Sequence, residues 1–304
     1  MIAWVALIAL VIAAPFGVEA FRSPMSEEVR AGAPGRFAPL SQGTTHYRWI
    51  GPTRGPIAVC VHGLTTPSFV WEGMARQLSE AGYRVLIYDL YGRGYSDRPP
   101  GRQNRDFFLR QLDDLLGNQG IEDDFTLIGY SMGGAIATAF AEANPGRLRQ
   151  LILIAPAGIR ITVGPTMRIV RDIPLLGDWL ALTFFPHSHR KATEAERSLP
   201  SAVPDIVDRQ QAELRWRGYI PAVVSSLRGI LAGDQQQAHR SLAQSDLPVT
   251  AIWAREDRMI PIRAMGDLAQ WNRTALHEVI NGAGHGLPYT HTREVVTAML
   301  ELGR

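Results

Sequence analysis

The sequence predicts an α/β protein: a doubly wound, mostly parallel sheet with helices on both faces and a helical cap inserted in its second half. Three observations carry that prediction. From residue 46 onward, short apolar runs of strand length alternate with stretches of helical periodicity. The alternation stops near residue 158 and resumes near residue 246. Before it begins, eighteen residues without a charged side chain open the sequence. The 304 residues suffice for one large α/β domain with an insertion or for two modest domains. A formal charge of +2 with scattered basic residues gives no sign of a nucleic-acid-binding surface. Cys60 is the only cysteine, which excludes an intrachain disulfide and a cysteine-rich metal site.

Taken in order, residues 1–21 form a hydrophobic anchor or signal segment. Eighteen residues at a rise of about 1.5 Å each just span a bilayer core. Val18-Glu19-Ala20 resembles a cleavage site, but no basic stretch precedes the apolar run, which favours a retained anchor over a cleaved signal. Arg22, Arg30 and Arg36 follow, and a positive flank favours a cytoplasmic over a periplasmic domain. Residues 22–45, rich in Pro, Gly, Ser, Arg and Ala without a period, read as a linker.

The core is expected over 46–157 and 246–304. Residues 46–50 read as an edge strand, and 56–61 and 84–88 as buried strands. A helix near 68–81 separates the latter two, and another over 104–116 leads to a strand at 125–130. That strand ends in Gly129-Tyr130-Ser131-Met132-Gly133-Gly134, followed at once by helix formers. The serine therefore sits on a strand-to-helix corner, where Gly129 and Gly133 avoid clashes between closely approaching backbones. Such a corner lifts the Ser131 hydroxyl above the sheet and aims the first amide of the helix, that of Met132, at an oxyanion formed there. By itself the five-letter pattern is weak, and a plain tight turn satisfies it. Strand 151–155 comes next. Residues 158–245 then offer helical segments at 167–185, 204–216 and 221–232, read as a cap or lid. The first of these is apolar enough to line an acyl pocket, touch a membrane, or simply pack. Strands at 248–254 and 275–280 and a closing amphipathic helix complete the chain.

A serine hydroxyl needs a base, and the base needs a carboxylate to hold its tautomer. Asp257 and His285 each lie in a loop directly after a predicted strand, at the sheet edge of Ser131. His62 is the second choice for the base. His277 falls within a strand, and His187 and His189 in the cap, where solvated or core roles outweigh metal ligation. Glu256 is one residue out of step, and Asp89 has a turn to cap.

Together, Val61-His62-Gly63-Leu64, the turn from Asp89 to Ser96, the Ser131 corner, Asp257 and Gly284-His285 resemble the α/β-hydrolase superfamily. The resemblance implies an eight-stranded-type sheet, the chain order nucleophile, acid, base, and an oxyanion hole from the amides of Leu64 and Met132. The layout is similar to monoacylglycerol lipases and their membrane-anchored relatives. It departs from lipases with a glycine run in the oxyanion loop, since Leu64-Thr65-Thr66 stands there. The expected activity is hydrolysis of small-molecule or lipid esters at the membrane, with neither metal nor cofactor. A perhydrolase or carbon–carbon bond hydrolase would keep the same residues. A catalytically silent, membrane-tethered binding protein is the alternative of another class.

Overall fold

The structure is a computed structural model and describes residues 1–159 and 164–302. Eight strands form one sheet: β1 Arg36–Leu40, β2 Gly43–Ile50, β3 Ile57–Val61, β4 Arg84–Tyr88, β5 Phe125–Tyr130, β6 Leu148–Ile154, β7 Val249–Ala254 and β8 Leu276–Ile280. Their order is β1-β2-β4-β3-β5-β6-β7-β8. Strand β2 pairs antiparallel with β1 and β4, and every other neighbouring pair runs parallel. The α/β-hydrolase architecture expected from the sequence is thus present.

Successive side chains of a strand face opposite sides, and both faces of this sheet are covered. Val59 and Val61 of β3 join one buried cluster, and Ala58 and Cys60 the other. The first cluster packs against α4 Arg105–Asn118, α5 Met132–Ala143 and α11 Arg263–Trp271. The second packs against α3 Glu72–Glu80 and the closing helix α12 Thr292–Leu302. Burial pushes the Cys60 thiol far up, leaving it inert.

Residues 22–45 do not form the expected linker. They hold α2 Glu27–Ala31 and β1, so the sheet edge is β1 and β2 lies inside it. The strand escapes sequence reading because it is five residues long and interrupted by Pro39, which only an edge position accommodates. Arg30 fixes α2 to the loop after β4: it is 6% exposed, pairs with Glu27 and Asp97, and donates to the Tyr95 carbonyl. Arg22 pairs with Glu19 at 2.8 Å. Two of the three arginines behind the apolar segment are therefore consumed locally.

Helix α1 Ile2–Ala20 is exposed along nearly its whole length and has a mean hydropathy of 2.2 over its most apolar window, long and apolar enough to cross a membrane. Pro15 lies inside it and lacks the N–H that would satisfy the Val11 carbonyl. The Trp179 indole N–H donates to that carbonyl at 3.2 Å. At its other end, Glu19 accepts from the Gly218 amide at 2.6 Å.

Between β6 and β7 the described residues form helices and no strand: α6 Pro165–Asp172, α7 Leu176–Glu194, α8 Ile206–Ala212, α9 Tyr219–Arg228 and α10 Gln236–Leu242. Four residues of the expected cap, 160–163, and the last two of the chain lie outside the described residues. These helices have an apolar cluster of their own, including Val170, Ala181, Leu214, Tyr219 and Val223, against which Leu64 of the core also packs.

Candidate active site

Three loops at the C-terminal ends of β5, β7 and β8 bring Ser131, Asp257 and His285 together. Ser131 has φ 52° and ψ −119°, a conformation that costs a non-glycine residue energy and is held by its surroundings. Its amide donates to Ile154, and its carbonyl accepts from Gly134 and Ala157. The glycines are required sterically. A Cβ at Gly129 would stand 2.4 Å from the Gly133 carbonyl oxygen, and one at Gly133 2.0 Å from that of Val61.

His285 Nε2 lies 3.0 Å from Ser131 Oγ, and Nδ1 lies 2.7 Å from Asp257 Oδ2. The Asp257 side chain is fully buried, and its other oxygen accepts from the Met259 and Ile260 amides at 2.7 and 2.8 Å. Two backbone donors thus fix the carboxylate, which orients the imidazole with Nδ1 protonated and Nε2 free to accept from the serine. Glu256 is exposed and takes no part. Tyr130, not singled out by the sequence, steadies the ring. Its hydroxyl donates to the His285 carbonyl at 2.9 Å, and the two rings are 5.2 Å apart.

His62 does not serve Ser131 as a base, because both of its nitrogens are spent on backbone. Nε2 accepts from the Leu90 amide at 2.9 Å, so Nδ1 carries the proton and donates to the Gly63 carbonyl at 2.8 Å. Burial lowers its pKa to about 4 and keeps it neutral. That carbonyl and the Leu64 N–H belong to one trans peptide and point in opposite directions. Holding the Gly63 oxygen from below therefore turns the Leu64 N–H away from His62. Met132 is the first residue of α5, so its N–H has no acceptor within the helix.

The oxyanion loop is also strapped to the cap. Arg93, fully buried, donates to the Leu64 carbonyl and to the Ala222 carbonyl and Ser226 hydroxyl of α9. Burial lowers its pKa to about 10, still cationic at neutral pH. The Tyr219 hydroxyl donates to the Thr65 carbonyl, and the Gln210 amide to the Thr66 hydroxyl. Asp89 caps its loop by accepting from the Ser68 and Tyr95 amides, and it also faces His46 at 2.7 Å. Burial opposes its charge, but His46 overrides that and holds the carboxyl well below its usual range.

A cavity of about 310 Å³ opens over Ser131 and His285, lined by Leu64, Thr65, Met167, Leu227, Met259 and Ile260, with Arg171 and Arg258 also on its wall. Among the described residues no group of three His, Cys, Asp or Glu side chains is placed to hold a metal.

Over 248 residues the chain is 29% identical to a 2-hydroxymuconate semialdehyde hydrolase of Pseudomonas putida, covering 77% of this chain and 82% of that protein. Over 258 residues it is 28% identical to the pimeloyl-[acyl-carrier protein] methyl ester esterase of Aliivibrio salmonicida, covering 84% and 95%. Its fold matches the crystal structure of a membrane phospholipase A, described as a bacterial virulence factor, with a TM-score of 0.71 at 18% identity over 99% of this chain and 95% of that one. The model of the alpha/beta hydrolase fold family matches residues 56–292, the span that holds the Ser131 corner, Asp257 and His285, and the chain belongs to that family.

Proposed function

We propose that this hydrolase cleaves carboxylic esters, lipid-like acyl esters of the monoacylglycerol kind, through an acyl-enzyme on Ser131. The observation that carries the reading is the in-line contact of Ser131, His285 and Asp257 beneath an apolar cavity. His285 Nε2 takes the Ser131 proton as Oγ attacks the ester carbonyl. The Leu64 and Met132 amides stabilise the tetrahedral oxyanion. The imidazolium, held by Asp257, gives its proton to the leaving alcohol, and the acyl group stays on Oγ. Water then attacks the acyl carbon while His285 takes its proton, and Ser131 is regenerated as the acid departs. None of these steps calls for a metal or a cofactor. The methyl ester esterase supports an ester substrate, and α1 supports a site of action at the membrane.

A second reading, hydrolysis of a carbon–carbon bond by the same three residues, draws support from the semialdehyde hydrolase and from Arg171 and Arg258, which could receive a carboxylate-bearing substrate. Fluorophosphonate labelling of membrane fractions tests the nucleophile: labelling of the parent and none of Ser131→Ala is expected, and equal labelling of both would refute it. A panel of p-nitrophenyl esters set against a vinylogous diketone separates the two readings by which substrate turns over.

A further inference from the structure

Behind the catalytic cavity lies a second one, of about 400 Å³, between α6, α7 and α9. Val170, Ala181, Phe185, Val223 and Val224 wall it, and it shares Gly164, Met167 and Leu227 with the catalytic cavity. The two spaces therefore meet across one methionine and one leucine, side chains that yield readily to a flexible guest. Among the described residues no charged side chain lines the second chamber; Thr166 and Ser188 are its polar members. The chamber opens to the surface beside Phe184 and Met167, which are 53% and 39% exposed, and its volume is that of a ligand site.

The position of the chamber says where its guest comes from. Helix α7 is its outer wall, and α1 lies against α7 through the Trp179 contact with Val11. Phe184, half exposed, lines the chamber and packs edge-on to Trp179, with ring centroids 6.2 Å apart. A residue at the mouth of the chamber thus stands beside the residue that bonds the apolar helix.

We propose that this chamber holds the distal part of a long acyl chain whose carboxyl carbon sits at Ser131, and that the chain enters from the lipid leaflet beside α1, past Phe184. The proposal rests on the ester-hydrolase reading and deepens it to long-chain membrane lipid esters. A small acyl group has no use for the chamber; a long one fills both spaces in line.

The test uses the full chain in detergent micelles with three p-nitrophenyl or alkyl esters: long acyl with short alcohol, short acyl with long alcohol, and short with short. In the parent, kcat/KM rises across an acyl series from butanoyl to hexadecanoyl; a flat series overturns the proposal. Ala181→Trp fills the chamber, and Val224→Phe fills it less drastically should the first variant fail to fold. Either lowers the long-acyl to short-acyl ratio of kcat/KM by about tenfold or more, the usual discrimination of an apolar pocket. An unchanged ratio, or a loss confined to the long-alcohol ester, overturns the assignment. Ester hydrolysis surviving in Ser131→Ala would instead defeat the underlying reading of the site, so the two failures are distinct.

Discussion

The corner at Ser131 and the cap above it are built on opposite terms. At the corner nearly every atom is placed by backbone: Gly129 and Gly133 have no room for a methyl group, and main-chain amides hold Asp257. In the cap, side chains do the placing, leaving one cavity among themselves and a second against the core loops. The chemistry depends on sub-ångström positions and sits where backbone packs directly against backbone. Substrate choice depends on the shape of a space and sits where side chains can change without disturbing the sheet. Damage at the corner should lower turnover of all esters alike, and damage in the cap should alter preference.

The largest effect expected is from Ser131→Ala, a loss of roughly 10⁴ to 10⁶ in kcat for short and long esters equally. Steady-state rates on both substrates check it, and a selective loss would blur the division between corner and cap. Next is His62→Asn, which frees the Gly63–Leu64 peptide. Removing one oxyanion donor costs roughly 10² to 10³ in kcat, and this variant should approach that with KM little changed. A rise in KM at constant kcat would show that the loop binds substrate without stabilising the oxyanion.

Trp179→Phe removes the partner of the Val11 carbonyl without touching the corner. A lost hydrogen bond of this kind is worth about 1 kcal/mol. Limited proteolysis between α1 and α2 should therefore speed up by about fivefold. An unchanged rate would mean that α1 is not held by the cap. The smallest effect is electrostatic. Burial raises the Glu213 pKa to about 7, with Arg98 and the Gly94 amide pulling the other way. The fold favours its protonated form, so its contribution to stability is complete below the unfolded value near 4.5 and is lost as pH rises through 7. Glu213→Gln does not titrate, so its melting temperature should gain on that of the parent between pH 5 and pH 8. A constant difference across that range would refute the shift.

Much of this was legible in the sequence wherever function is local. The Ser131 corner is a few consecutive residues, and Asp257 and His285 follow strands whose apolar runs announce them. His62 ranks second as a base on sequence alone, and the structure gives it backbone to hold instead. Its place directly after the strand 56–61 puts it in a loop at the sheet edge, which is correct, but a side chain buried under its own loop leaves no mark in the letters. What stayed hidden is contact across long chain separations. Tyr130 reaches the carbonyl of a residue 155 positions away, and Trp179 reaches one 168 positions away. Nor could apolar spacing in 167–185 distinguish a helix that packs from one that lines a chamber. The short edge strand β1 was lost for a different reason, since Pro39 argues against a strand everywhere except at an edge.

Pro15 gives the molecule a dependency that runs against the direction of synthesis. A helical carbonyl left without a partner away from water costs about 1–3 kcal/mol, and α1 carries one until Trp179 is made and its helix folds. The apolar segment emerges first and is completed last. A chain whose cap fails to form thus keeps the Val11 carbonyl of α1 without its Trp179 partner.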